Sequence, residues 1–360
     1  MSRLRRADPS LPGYTRRRAG RGFVYLDETG ERIVDPDVLA RIRALVIPPA
    51  WKDVWICPWP NGHLQAVGID ARGRRQYRYH DRWRARRDAE KFDRMAAFAL
   101  CLPKVRRRCA ALLAGDEPSR ERVLACAIRL LDLGFFRIGG EEYVDQNGSY
   151  GLATLRKEHA RLEDGNAVTF DYPAKSGKRR MQTIVDEDVF AVVAALKRRR
   201  TGGPVLFAFR SNGRWVDLHS SDINDFVKEL TGGEFTAKDF RTWAGTVLAA
   251  VALAVAERAR SRTGRRRAIS RAYQEVAHYL GNTPAVCRKS YVDPRVVDRY
   301  RAGVTIADAL TGAGDDRDSS GCAIHGAIET AVLELLDDAP RPGRSAAGAP
   351  PVPARRRQAA

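Results

Sequence analysis

Hydrophobic runs long enough to cross a bilayer are absent from the 360-residue sequence. The most apolar stretch, Val247 to Ala256, is about half the length a spanning helix needs and ends in the charged "ERARSR", so it reads as a buried helix. The basic N-terminus, "MSRLRRADPSLPGYTRRRAG", lacks the apolar segment of a signal peptide. Cysteine is scarce. Cys57, Cys101, Cys109, Cys126, Cys287 and Cys322 show no C-x-x-C spacing, which excludes a zinc ribbon or a disulfide framework and suggests reduced thiols in a cytoplasmic protein. Also missing are a phosphate-binding G-x-x-x-x-G-K-[ST] loop, an H-E-x-x-H pair and any carboxylate cluster at metal-ligand spacing. The expectation is therefore an activity with no nucleotide, no metal and no other cofactor.

Acidic residues are in deficit: 44 Asp and Glu face 63 Lys and Arg, for a formal charge of +19 and a pI near 10.1. Such a balance points to a polyanionic partner, with nucleic acid ahead of an anionic membrane. The length and a hydrophobic content of 44% allow two domains. Residues 20–80 are rich in short β-type runs ("FVYLDETGERI", "DVWICPW", "HLQAVGID", "RQYRY") interrupted by one helix near Asp37 to Leu45. From Asp81 the pattern turns helical. A helix capped by Ser119 stops at Gly134, just before "FFRIGG". "NAVTFDYPAKSGKRRMQTIV" predicts a β-hairpin turning at Ser176 and Gly177 with lysines at its tip. Further helices are expected over "DEDVFAVVAALKRRR", "HSSDINDFVKEL", "TAKDFRTWAGTVLAAVALAVAERAR", 269–280, 294–310 and 322–337. The division this gives is a basic extension (1–19), a β-rich domain (20–83), a helical domain (84–312) and a tail (313–360) of one helix followed by a disordered Pro, Ala and Arg-rich end. The fold class is α+β.

Without metal or nucleotide, chemistry on a phosphodiester has to be supported by the chain's own cations. Candidates are Arg137, Lys175 or Lys178, and Arg241. Two guanidiniums can stabilise the non-bridging oxygens, a lysine can protonate a departing oxygen, and a tyrosine can attack phosphorus. Tyr291, in "VAHYLGNTPAVCRKSYVDP", is the candidate nucleophile, but its claim rests on that surrounding set, because tyrosines are more often core.

Arg137 in "FFRIGG", Lys175 in "YPAKSGK", Arg241 in "KDFRTWAGT" and Tyr291 in "LGNTPAVCRKSY" resemble, in order, the active-site motifs of type IB DNA topoisomerases in their small poxvirus-like bacterial form. "LVIPPAWKDVWICPWPNGHLQAVGIDARGRRQYRYH" is similar to that family's N-terminal DNA-gripping domain, and the resemblance covers roughly residues 20 to 310. It implies a monomeric C-shaped clamp on double-stranded DNA. Tyr291 would form a 3′-phosphotyrosyl intermediate, and supercoils would be relaxed without ATP. The family's histidine nine positions before the tyrosine is replaced by Asn282, which keeps an N–H donor but no titratable charge. His278 reads as structural. Lys238 resembles a phosphate contact, Lys178 is the alternative acid or a further contact, and Gln76, Tyr77 and Tyr79 match a groove-reading segment. "KRRR" at 197–200 and "GRRR" at 264–267 read as solvated helix ends or generic phosphate contacts. A tyrosine recombinase shares the chemistry but usually has His-x-x-Arg where "KDFR" stands, and a helical domain in place of residues 20–80. A non-enzymatic basic DNA-binding protein is the remaining alternative.

Overall fold

The computed structural model describes residues 3–141, 144, 148–256, 261–312 and 325–337 and divides into two compact units, Met1–Arg94 and Met95–Ala360. In the first, strands β1 (Tyr14–Ala19), β2 (Gly22–Leu26), β3 (Lys52–Ile56), β4 (Leu64–Ile69) and β5 (Arg75–Tyr79) form an antiparallel sheet in the order β2-β1-β3-β4-β5. The strand-rich region thus begins at Tyr14, not at residue 20. The basic N-terminus is part of the unit, with Ala7 buried against Cys57, Leu64 and Val67. Helix α1 (Pro36–Ala44), capped by Asp35, buries Ile42 with Val54, Ile56 and Ala66. β4 is buried along nearly its whole length, including Gln65. That amide survives burial because Nε2 donates to the Trp59, Pro60 and Gly62 carbonyls while Oε1 accepts from Arg41.

Helix α2 (Asp81–Leu113) begins in this unit and continues into the second. There Arg122, buried, closes its C-terminal end by donating to the Leu113 and Asp116 carbonyls. The centre of the second unit is α3 (Arg120–Gly134), whose Val123, Leu124, Ala127, Leu130 and Leu131 are fully buried. Its cap is Ser119, which accepts from the Arg122 N–H. Three strands follow in the order β6 (Ala160–Glu163), β7 (Ala167–Pro173) and β8 (Arg179–Val185). The β7–β8 hairpin is the one expected from the sequence; β6 extends it to a sheet. Helix α4 (Glu187–Arg198) packs next, then the short hairpin of β9 (Ala208–Ser211) and β10 (Arg214–Asp217). The remaining helices are α5 (Ser220–Thr231), α6 (Ala237–Val255), α7 (Arg262–Leu280), α8 (Pro284–Ser290), α9 (Pro294–Arg301), α10 (Ala307–Gly312) and α11 (Ala327–Leu336). The single helix expected over 294–310 is two, divided at Gly303, where φ is +83°. The disordered end expected after Ala339 and Cys322 lie outside the described residues. No described helix is long and apolar enough to cross a membrane.

Helix α11 is tied to the interior by a charged network. Arg106 of α2 makes paired bonds to Asp132 of α3 (2.8 and 3.1 Å) and to Glu329 of α11 (2.5 and 3.0 Å). Glu329 also accepts from Trp243 Nε1 of α6 at 2.7 Å, and His325 Nε2 lies 3.6 Å from Asp132. Burial alone would raise the Asp132 carboxyl; His325 and Arg106 outweigh it and hold the group below its ordinary 3.8. A carboxyl depressed on folding contributes stability in full above the unfolded value, and that stability is lost as pH falls through the folded one. Thermal stability should therefore fall below about pH 4 partly through this site. Asp132→Asn should flatten that part of the profile and cost about 3–5 kcal/mol at neutral pH, because Arg106 loses a buried partner. Melting temperatures from pH 3 to 7 for both proteins check this.

Candidate active site

Arg137 follows α3 directly, and the chain around it is held by backbone geometry. Phe135, beyond the helix end, has φ of +53°, an uncommon conformation for a bulky residue. Its carbonyl is held by Arg241 Nη1. Past the arginine, the Arg137 and Ile138 carbonyls accept from Leu152 and Ala153 (2.8 and 2.7 Å). A Cβ on Gly139 would lie 2.8 Å from the Gly151 Cα, so the two backbones meet only because both residues are glycine. Gly139, the first glycine of "IGG", is thereby a packing requirement of the segment that carries Arg137.

The second arginine lies on the first turns of α6, which Thr236 and Asp239 close by bonds of 2.8 and 3.0 Å. Arg241 is buried, 3% exposed, yet its bonds go to carbonyls and not to a carboxylate: Phe135 O and Leu280 O, the latter at 2.8 Å. Arg137 Nη2 donates to Gly281 O (2.7 Å) and Asn282 Oδ1 (2.6 Å). A third guanidinium, Arg180 of β8, donates to His278 O at 3.3 Å and to Tyr279 O. Four consecutive carbonyls at the end of α7, residues 278 to 281, are thus taken by three arginines. The partial negative charge of a helix C-terminus makes it a suitable resting place for cations.

Tyr291 stands at the end of α8, its N–H bonded to Cys287 O at 3.0 Å, and it packs against the buried cluster that includes Val276, Leu280 and Cys287. The Arg241 guanidinium carbon lies 5.3 Å from the centre of that ring. Helix α6 seats the tyrosine twice. Thr246 Oγ1 donates to Tyr291 O at 3.3 Å, and a Cβ on Gly245 would come within 2.7 Å of the same oxygen. The "AGT" after Arg241 therefore sets how close the arginine and tyrosine helices approach.

Electrostatically the site is short of negative charge. Burial, followed by the proximity of Arg137, pushes the Arg241 guanidinium down to about 10 against the opposing pull of Tyr291. Arg241 Nε and Asn282 Nδ2 are buried donors without a partner, and so is Nε2 of Gln182, whose Oε1 accepts from Arg180. Polar atoms buried in this way cost about 1–3 kcal/mol each unless something pairs with them. Donors in excess of acceptors around fixed cations are the chemistry of an oxyanion site. The described residues contain no group of His, Cys, Asp and Glu able to hold a metal ion.

Arg137, Arg241, Asn282 and Tyr291 are brought together. Lys175 is not bonded to them: it is exposed on the turn Lys175–Gly177, where Ser176 has φ of +67°, and Lys178 is exposed beside it. Lys238 is exposed one turn before Arg241. In the first unit β5 is an edge strand with Tyr77 and Tyr79 on one face, both exposed and stacked 6.1 Å apart. Gln76 is on the opposite face, bonded to Asp70 at 2.9 Å, so the three do not share a surface. His278 is exposed and engages the site through its backbone carbonyl only. Arg180 and Gln182 escaped the sequence reading. The alternation of β8 was the available signal, since it puts both on the face of the buried Ile184.

An α+β unit with a tyrosine seated beside guanidiniums, and donors left over for an oxyanion, defines a candidate phosphoryl-transfer protein. The comparisons with known proteins carry this to a family. The model described as eukaryotic DNA topoisomerase I, catalytic core, matches residues 80–309, and that described as bacterial DNA topoisomerase IB, N-terminal domain, matches residues 22–70. DNA topoisomerase 1B of Acanthamoeba polyphaga mimivirus is 32% identical over 302 residues, covering 81% of this chain and 88% of that protein. DNA topoisomerase 1 of Mycosarcoma maydis is 26% identical over 216 residues, and that of Candida albicans 33% over 130; the chain spans only 20% and 16% of their lengths. The chain belongs to the type IB DNA topoisomerase family.

Proposed function

We propose that this protein is a DNA topoisomerase that relaxes supercoiled duplex DNA through a transient 3′-phosphotyrosyl bond, without ATP or metal. The observation that carries the reading is the convergence of Tyr291, Arg137, Arg241 and the orphaned Asn282 amide on one carbonyl-capped helix end. In the forward step the Tyr291 oxygen forms a bond to phosphorus as the bond from phosphorus to the 5′-oxygen breaks. The phenol proton passes to solvent, and Lys175 gives a proton to the departing oxygen. Arg137 and Arg241 stabilise the non-bridging oxygens, exchanging helix carbonyls for phosphate. Religation is the same step reversed after the free strand has turned. Because the covalent bond conserves the phosphodiester's energy, no external energy source is needed. Lys178, Lys238, and the exposed Tyr77 and Tyr79 are proposed duplex contacts, with Gln76 acting through the loop at Asp70.

The test is incubation of the full chain with supercoiled plasmid in EDTA without ATP, followed by denaturation to trap any adduct. Relaxed topoisomers and protein attached to the 3′ side of the nick are expected. Relaxation that needs ATP or a divalent ion, or no adduct, would sink the reading.

Asn282 gives a finer check. Its Oδ1 is taken by Arg137, leaving Nδ2 to donate to a phosphoryl oxygen. Asn282→Ala should lose roughly tenfold to a thousandfold in single-turnover cleavage with a much smaller change in DNA affinity. Asn282→His should stay active and acquire a pH dependence near 6 to 7. Parent-like cleavage by Asn282→Ala would remove the residue from the site.

A further inference from the structure

Arg179 and Arg180 are neighbours on β8, but the strand's alternation sends them to opposite faces. Arg179 is exposed and pairs with Asp171 at 2.8 and 2.6 Å, within the hairpin itself. Arg180 is committed elsewhere. Nε donates to Gln182 Oε1 at 2.9 Å, Nη1 to His278 O at 3.3 Å and Nη2 to Tyr279 O, so every nitrogen of the fork has an acceptor. Among the described residues, the hydrogen bonds joining the β7–β8 hairpin to α7 all come from this one side chain. At one end of the connection is the turn carrying Lys175, five residues before Arg180. At the other is Asn282, three residues after Tyr279, on the segment that leads into α8 and Tyr291. A Cβ on Gly281 would lie 3.3 Å from Arg180 Nη1 and 3.8 Å from Arg137 Nη1, so the latch meets the catalytic arginine at the same residue.

We infer that Arg180 is a positioning residue that latches the Lys175 hairpin to the end of α7 and so holds the proton donor in register with the attacking tyrosine. The inference rests on the role proposed above for Lys175. The turn itself is weakly held: Ala174 N–H to Lys178 O (2.8 Å) and Gly177 N–H to Ala174 O (3.0 Å) close it, and both lysine ammoniums are exposed. Released from α7, the hairpin keeps its strand pairing and the Tyr150 N–H to Pro173 O bond (2.8 Å), but the hydrogen bonds that set its tip against the end of α7 are gone. Displacement of a reacting group by about 1 Å can cost on the order of a hundredfold in rate. Arg137, Arg241 and Asn282 make no hydrogen bond to Arg180, so the larger part of the loss should fall on leaving-group protonation.

That separation gives a test. Single-turnover cleavage is measured on two oligonucleotide duplexes, one with the ordinary 5′-bridging oxygen and one with sulfur there, which leaves as a thiolate without a proton. On the oxygen substrate, Arg180→Ala should be about a hundredfold slower than the parent, with duplex affinity little changed. On the sulfur substrate it should recover most of the loss, as Lys175→Ala does. Arg180→Lys keeps the charge but spans only one carbonyl; it should fall between the two and also be rescued by sulfur. This variant carries the comparison should Arg180→Ala fail to fold by circular dichroism. Parent-like cleavage of the oxygen substrate, or a defect that sulfur leaves in place while rescuing Lys175→Ala, overturns the latch and spares the reading of the site. If the parent forms no adduct on either duplex, the reading itself falls.

Discussion

Tyr291→Phe is expected to bind duplex DNA like the parent and neither cleave nor relax it. Only the hydroxyl oxygen is removed. The ring can keep its place against the buried cluster of Val276, Leu280 and Cys287, and the backbone bonds to Cys287 and Thr246 do not involve the side chain. The guanidiniums that would bind phosphate are untouched, so affinity should persist. With no nucleophile in place, cleavage should fall by on the order of 10⁴-fold or more. Gel-shift titration alongside plasmid relaxation reads both quantities. Relaxation at the parent rate would mean that another group attacks.

Arg241→Lys should produce the second large effect, and it separates charge from geometry. An ammonium keeps the positive charge but cannot bridge two acceptors in a plane as a guanidinium does. In the free protein Arg241 spans the Phe135 and Leu280 carbonyls, so lysine leaves one of them unpaired in a buried place, at about 1–3 kcal/mol. In the reaction the same lost fork should cost on the order of 10²–10³ in cleavage rate. Thermal unfolding and single-turnover cleavage, measured together, should both fall. A lysine variant that cleaves at the parent rate would show that charge alone suffices there.

Much of this was legible in the sequence because the relevant signals are carried by residue identity. Ser119 and Gly134 bound α3, the period-two runs around Ser176 and Gly177 form the hairpin, and the apolar run after "KDFRTW" is a packed helix. Elements that are short or charged escaped. Asn212 and Gly213, both at positive φ, make the tight turn of β9 and β10, but four-residue flanks give little alternation to count. Helix α7 starts at Arg262, not near 269, because arginines fill its first turns where apolar spacing would normally show. The site's organising feature was hidden for another reason. The arginines are held by carbonyls 278 to 281, and a carbonyl is the same group in every residue, so no motif marks it. Gly245 likewise matters for the atoms it lacks.

The bond network around Glu329 bears on the order in which the protein is made. Trp243 and Arg106 belong to helices that leave the ribosome long before residues 325–337, yet each has a buried partner on α11. Helix α11 also lies beyond residues 80–309, the stretch matched to the family's catalytic core. A nascent chain that has completed Tyr291 thus already carries every proposed catalytic group, while Trp243, two residues from Arg241, still awaits its acceptor. The helix that carries Arg241 therefore gains the acceptor for Trp243 only after Glu329 has been added to the chain.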